Sequence, residues 1–345
     1  MKDTILVTGA AGFIGSFLCK RLLLDSNVRV IGFDNCNDYY DPKLKLDRLA
    51  MVEGSSGSDR FLFVKGDLAD EGCVNEVFER YRPNTVVNLG AQAGVRYSIE
   101  NPRAYIDSNI IGFFNILEAV RIYGADHLVY ASSSSVYGGN KKIPFSEEDR
   151  VDSPVSLYAA SKKSNELMAY AYSKLYDIPA TGLRFFTVYG PMGRPDMAYF
   201  SFTDKLVRGE RINLFNMGNC KRDFTFVDDV VSGIIEVMHN APKRHTGEDG
   251  LPDAPHRVYN IGNSNPESLF VFVKTLHRVL VEEGVLSEDF RIEDHINLLP
   301  MQPGDVAATY ANVSLLQRDT GFKPSTSLEE GLRTFARWYK SYYRQ

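Results

Sequence analysis

No apolar run in the chain reaches the roughly 18 residues that a membrane-spanning helix needs, so nothing in it reads as a membrane segment. Cysteine is scarce. The four thiols, Cys19, Cys36, Cys73 and Cys220, show no C-x-x-C spacing. That excludes a disulfide frame and a zinc ribbon and fits reduced thiols in a cytoplasmic protein. The six histidines are scattered, so no metal cluster is visible. Neither sign of charge dominates: 39 Lys and Arg face 44 Asp and Glu, a net charge of −5. Small basic clusters such as Lys141-Lys142 read as solvated surface, and no nucleic-acid partner is expected. There is no internal repeat and no low-complexity tract. The first strand pattern begins within five residues of Met1, so no signal peptide is expected. At 345 residues the chain can bury a large core and is expected to form two lobes.

What is present is a series of short apolar runs at 4–8, 28–33, 61–64, 85–89, 127–131 and 180–185, with helical patterns between most of them. The alternation predicts an α/β fold, a Rossmann-like doubly wound parallel sheet covered by helices on both faces. After residue 186 the alternation weakens, which predicts a smaller mixed lobe. The expected division is a cofactor-binding unit over 1–185, a return of the chain to it around 224–258, and a substrate lobe made mainly from 186–345. Residues 241–256, rich in Pro, Gly, His and charge, read as one exposed loop.

The first run leads into Gly9-Ala-Ala-Gly12-Phe13-Ile14-Gly15 and then a helical pattern. Strand, glycine turn and helix are the start of a dinucleotide-binding unit, with the pyrophosphate at the helix N-terminus. The spacing is G-x-x-G-x-x-G. The second run ends in Asp34-Asn35. An acid there accepts hydrogen bonds from the adenosine ribose and repels a 2′-phosphate, which favours NAD over NADP. Asp67 and Leu68 follow the third run and are placed to meet adenine. Gly90-Ala91-Gln92-Ala93 follows the fourth and permits close approach of a cofactor.

Tyr158 and Lys162 are four residues apart and share a face of a helix. A nearby ammonium lowers the pKa of a phenol, as does an oxidised nicotinamide, which would make Tyr158 a proton acceptor at neutral pH.

These features in this order resemble the extended short-chain dehydrogenase/reductase superfamily, nucleotide-sugar branch, over nearly the whole chain. The serine block before Val136-Tyr137-Gly138 takes part, as do Leu183-Arg-Phe-Phe-Thr-Val-Tyr-Gly-Pro191 and Arg222-Asp-Phe-Thr-Phe-Val-Asp-Asp229. Within that branch the chain is most similar to the UDP-glucuronate 4-epimerases, through 34–41, Ala91–Ser98, Gly193–Met197 and Met301–Asp305. The resemblance implies NAD as cofactor, a UDP-sugar as substrate and a homodimer packed through two helices per subunit. It implies Tyr158 as the proton-transfer residue, Lys162 as its electrostatic partner and ribose ligand, and Ser133 as the hydroxyl that binds O4. Arg222 is implied as a diphosphate ligand and Asp305 as a ribose or diphosphate-site residue. Gln302 replaces the arginine of UDP-galactose 4-epimerases.

Related decarboxylases and dehydratases carry acids near the serine block, whereas this chain has Ser134 and Ser135 there. Hydroxyls from Ser134, Ser135 and Thr187 can hold a sugar carboxylate and oppose its loss as CO₂. Arg194 is a second-line cation for the same group or a solvated loop arginine. Arg96 either starts a helix or reaches the sugar. A net oxidoreductase that releases NADH, a UDP-glucose or UDP-N-acetylglucosamine 4-epimerase and a non-catalytic NAD-binding regulator remain as alternatives.

Overall fold

The computed structural model describes residues 3–246, 252–301 and 308–343. Six strands come from the first 185 residues: β1 (Asp3–Thr8), β2 (Val28–Asp34), β3 (Phe61–Lys65), β4 (Thr85–Asn88), β5 (His127–Ser133) and β6 (Ala180–Phe185). Beyond them lie β7 (Thr187–Tyr189), β8 (Ile212–Leu214), β9 (Lys221–Phe226), β10 (His256–Ile261), β11 (Pro266–Ser268), β12 (Ile296–Leu298) and β13 (Ala308–Thr309). The main sheet runs β10-β6-β5-β4-β1-β2-β3, and every pairing in it is parallel. Strand β9 anchors a smaller mixed sheet, parallel to β7 and β13 and antiparallel to β11. A two-stranded parallel pair, β8 with β12, completes the smaller lobe.

The continuous apolar runs are explained by burial on both faces. Side chains alternate across a strand. In β1, Ile5 and Val7 therefore join one core and Leu6 the other. The first core takes in Leu18 and Leu22 of the helix Phe13–Leu22 and continues into Tyr189, Phe224, Phe272 and Phe335 of the smaller lobe. The second packs Ile31, Val86 and Leu128 against Phe78, Ile116 and Leu117. Full burial of such side chains is worth roughly 1.5–3 kcal/mol each.

The segment 241–256 is less uniform than its composition suggests. Lys243–Thr246 are exposed, Ala254 and Pro255 are buried, and His256 opens β10; 247–251 lie outside the described residues.

One buried histidine gives the fold a pH dependence. His127 Nε2 lies 2.9 Å from Thr181 Oγ1 and Nδ1 lies 3.3 Å from the Met238 carbonyl. Both contacts are met by the neutral ring, donating from Nδ1 and accepting at Nε2. Burial pushes the pKa down to about 4, from 6.5. Above pH 6.5 both folded and unfolded states are neutral and nothing is lost. Below it the unfolded chain binds a proton that the folded chain refuses, at about 1.4 kcal/mol per pH unit. Urea unfolding at pH 6.5 and pH 5 should therefore differ by about 2 kcal/mol from His127 alone. His127→Gln should remove this share of the slope and leave that of His256, whose pKa burial also lowers to about 4, and an unchanged slope would exclude this origin.

Candidate active site

A single cleft runs along the C-terminal ends of the main-sheet strands, where β2 and β4 diverge from either side of β1. This is the switch point at which open α/β sheets bind ligands. Gly9, at the end of β1, has φ +70°, and a Cβ on it would sit 2.8 Å from the Gly90 nitrogen. A Cβ on Gly15 would fall 2.1 Å from the Gly9 carbonyl oxygen. The chain therefore crosses here at a distance that only glycine permits. Gly12 is the N-cap of the helix Phe13–Leu22, which has no side-chain cap and no acid in its first turn. Phe13, Ile14 and Gly15 border the cleft. An uncapped helix start of this kind suits the diphosphate of a dinucleotide.

The inner end of the cleft is bordered by Asp34, Asn35, Asp67, Leu68 and Ala91. Asp34 is held by two backbone amides, Ala11 N–H on Oδ2 (3.1 Å) and Cys36 N–H on Oδ1 (2.8 Å). Each oxygen keeps a lone pair for ribose hydroxyls. Asn35 Nδ2 donates to Asp67 Oδ2 at 2.8 Å, and Leu68 is fixed by Asn115 Nδ2 on its carbonyl. The donor set and glycine cradle fit NAD.

Ser133, Tyr158 and Lys162 meet in the middle of the cleft. Tyr158 and Lys162 project from the helix Leu157–Tyr176, whose start is capped by Ser156 Oγ on Ala159 N–H. Ser133 ends β5. Its Oγ accepts from Ser135 N–H at 3.2 Å, and its hydroxyl pulls the Tyr158 pKa down. Lys162 is 4% exposed and donates to the Ala131 carbonyl at 2.8 Å. Burial lowers its pKa to about 8, which leaves it roughly nine-tenths protonated at pH 7. Burial raises the Tyr158 pKa. The protein groups that pull it back are the Ser133 hydroxyl and the Arg194 charge, not Lys162 as the i, i+4 spacing alone would suggest. Among the described residues, no carboxylate borders this middle chamber.

The outer chamber is bordered by Thr187, Arg194, Arg222 and Arg96. Arg194 borders all three parts of the cleft and is no solvated loop residue. Its Nε and Nη2 bind Asp196 at 3.0 and 2.5 Å, leaving Nη1 for a ligand. Arg96 stands at the N-cap of Tyr97–Glu100 and lays its guanidinium 5.4 Å from the Phe215 ring centre, at the border of the outer chamber. Ser134 and Ser135 are half-buried in the 3₁₀ turn Ser134–Tyr137; the cleft border carries Ser132 and Ser133 from the block. Asp305 and Gln302 lie outside the described residues.

Several site residues gave no signal in the sequence. Asn109 sits in a π-helical segment, Ile106–Ile111, a local widening that often marks function. It bonds Gln92 through both backbone groups (2.8 and 3.0 Å) and Ser161 Oγ (3.0 Å), and its own carbonyl accepts from Asn165. The turn after β4 is thereby tied to the Tyr158 helix. Beneath the serine block, Arg184 and Glu166 form a buried two-point ion pair at 2.8 and 2.9 Å. Ser132 Oγ donates to Glu166, and Arg184 Nη1 donates to Tyr137.

A family model described as GDP-mannose 4,6 dehydratase matches residues 6–335. Protein CapI of Staphylococcus aureus is 50% identical over 347 residues, covering 99% of this chain and 99% of its own. The probable UDP-glucuronate 4-epimerase of Rhizobium meliloti (strain 1021) is 45% identical, covering 99% and 98%. The UDP-glucuronic acid 4-epimerase of Bacillus cereus, solved in complex with UDP-glucuronic acid and NAD, superposes with a TM-score of 0.84 at 30% identity, over 99% of this chain and 100% of that one. A family model spanning nearly the whole chain, relatives matched end to end and a common cleft architecture agree: the chain belongs to the extended short-chain dehydrogenase/reductase superfamily, in the nucleotide-sugar branch that holds the UDP-glucuronate 4-epimerases.

Proposed function

We propose that the protein is an NAD-dependent 4-epimerase that interconverts UDP-glucuronate and UDP-galacturonate. The observation that carries this reading is the meeting of Ser133, Tyr158 and Lys162 between a glycine cradle and an outer chamber rich in arginine. The full-length similarity to UDP-glucuronate 4-epimerases supports it.

NAD held in the glycine cradle would supply the hydride acceptor and donor for the sugar C4. The chain's own groups manage the proton and the geometry. Tyr158 takes the O4 proton as hydride leaves C4 and gives it back when the 4-ketosugar is reduced. Ser133, which borders the same chamber as Tyr158, holds O4 and passes the proton. Arg194 favours the tyrosinate, and Lys162 binds the cofactor ribose. Asp34, Asn35, Asp67, Leu68 and Ala91 hold the adenosine half, with Gly9, Gly12 and Gly15 beside the diphosphate. Arg222 binds the substrate diphosphate, where a planar guanidinium matches two oxygens. Asp305 belongs to the same subsite. Thr187 and Arg194 receive the C6 carboxylate, with Ser134 and Ser135 as further donors. A sugar held through its UDP can turn over in the chamber and expose its other face. The absence of an acid from the border of the middle chamber, among the described residues, favours re-reduction over dehydration.

The residues through 185 with the returning β10 form the NAD unit, and most of 186–345 forms the UDP-sugar lobe. The apolar side chains Leu167 and Leu175 of the Tyr158 helix, and Phe114 and Ile122 of the neighbouring helix Gly112–Tyr123, are exposed. They suit a homodimer packed through these two helices. The working site is the cytoplasm, with no nucleic acid and no membrane as partner, and the product serves polysaccharide synthesis.

One good charge-assisted contact, at about 1.5–3 kcal/mol, gives tenfold discrimination or more. NMR assays with UDP-glucuronate, UDP-glucose and UDP-N-acetylglucosamine should show kcat/KM for the uronate at least about tenfold above the others. Equal rates with UDP-glucose would reassign the protein as a general UDP-hexose 4-epimerase.

A further inference from the structure

Arg48 is fully buried on the helix Pro42–Glu53. Among the described residues it has no carboxylate within ion-pairing distance. A guanidinium in that position is costly unless its hydrogens are used. Arg48 uses four of its five, one on nearby Tyr40 and three on two distant loops. Nη1 donates to the Ala11 carbonyl in the glycine loop (3.2 Å) and to Tyr40 Oη (2.5 Å). Nε donates to the Met192 carbonyl (2.9 Å) and Nη2 to the Gly193 carbonyl (3.1 Å). The next residue is Arg194, which borders every part of the cleft.

Two details make this more than a packing contact. Ala11 is gripped from both sides: Asp34 accepts from its N–H while Arg48 donates to its carbonyl. The residue that meets the cofactor ribose and the one that reaches the 192–194 turn therefore act on one peptide segment of the glycine loop. The turn itself is not at rest. Met192 has φ +54°, a left-handed conformation that a non-glycine residue holds only when its surroundings enforce it. The Arg48 bonds to Met192 and Gly193 supply that enforcement. Tyr39, from the same segment as Tyr40, adds a contact to Asp196 Oδ2 at 3.5 Å.

We propose that Arg48 is a positioning residue that couples the cofactor loop to the turn carrying Arg194, so that NAD and the UDP-sugar tighten each other's binding. The inference rests on the reading that the glycine loop holds NAD and the outer chamber the UDP moiety. An anion at the glycine loop offsets the unpaired charge of Arg48 and firms its grip on Ala11. The same guanidinium then holds Met192, Gly193 and, through them, Arg194 in place for the second ligand. Binding linkage is reciprocal, so UDP must hold NAD in by the same factor.

The test uses the purified holoprotein. NAD loss at equilibrium is measured on dilution with and without saturating UDP, which binds without turnover. In the wild type, UDP should lower the apparent Kd of NAD at least tenfold. In Arg48→Lys, which keeps the charge but cannot span both loops, the factor should fall below threefold. Tyr40→Phe, which removes one Arg48 acceptor and keeps the aromatic ring, should give an intermediate factor and serves if Arg48→Lys does not fold. Asp47→Asn is the control. It loosens the same helix where Asp47 pairs with Lys43 at 2.6 Å and meets Tyr342, so Tm should drop while the coupling stays at its wild-type value. A merely structural Arg48 would lower Tm and leave the coupling intact. Coupling within twofold of wild type in Arg48→Lys, or no coupling in the wild type, overturns the inference alone. Wild-type protein that binds neither NAD nor UDP overturns the functional reading and the inference with it.

Discussion

Tyr158→Phe is expected to lower kcat by about 10²–10⁴-fold, the usual loss for a group that transfers a proton in the transition state. The UDP-sugar should still bind within a few-fold of its wild-type affinity. The change removes one oxygen from a ring that stays packed at 6.0 Å from Tyr105 in an edge-on arrangement, so the pocket keeps its shape. What disappears is the hydroxyl whose pKa Ser133 and Arg194 pull down. Burial alone raises the pKa of this phenol, so its use as a base depends on positive charge arriving beside it. Arg194 supplies part of that charge. Turnover and binding are measured separately, by NMR of the sugar products and by calorimetry with UDP-glucuronate. Activity within threefold of wild type would remove Tyr158 from the chemistry.

The second large effect concerns stability. Arg184→Met should destabilise the fold by about 3–5 kcal/mol, because it strands Glu166 as a buried carboxylate without its main partner. Both side chains are nearly inaccessible, at 4% and 3%. Lys163, 3.1 Å from Glu166, and the Ser132 hydroxyl remain, so the loss falls toward the lower end of that range. The double variant Arg184→Met with Glu166→Leu should lose less than the single one, since removing both charges also removes the desolvation penalty. Denaturant unfolding of the three proteins decides the matter. A loss below 1 kcal/mol for Arg184→Met would mean that the pair contributes little. The network also reaches the site through Ser132, which borders the middle chamber and donates to Glu166. Loosening it should slow turnover as well.

The six strands of the first 185 residues and the glycine turn were legible because each is local. Apolar runs of four to six residues and fixed glycine spacing need no knowledge of the rest of the chain. Strand β10 was visible only as a vague return of the chain, since six residues with His256 and Arg257 among them carry little pattern. The site residues divide along the same line. Ser133, Tyr158 and Lys162 come from two short stretches with recognisable spacing. Arg48 reads in sequence as an ordinary helical arginine, and its meaning lies in partners 144 and 145 residues away. Asn109 is hidden by a helix widening that no periodicity announces. The Arg184–Glu166 pair joins a strand to a helix whose charges, read locally, look solvent-facing. Long-range polar pairing is set by the folded packing, and single-sequence patterns do not encode it.

The position of β10 has a consequence for how the protein is made. The main sheet cannot close until residues 256–261 have left the ribosome, because β10 covers β6. Until then Ala180–Phe185 forms an open edge, with Thr181, Gly182 and Leu183 destined for full burial. An uncovered apolar edge invites pairing with a second chain. A nascent or truncated product that stops in the smaller lobe therefore carries a nearly finished nucleotide-binding unit with a sticky border. Such a fragment is expected to need chaperone cover or to aggregate, and cutting the gene at the apparent lobe boundary near 185 would yield insoluble material, not a free cofactor-binding module.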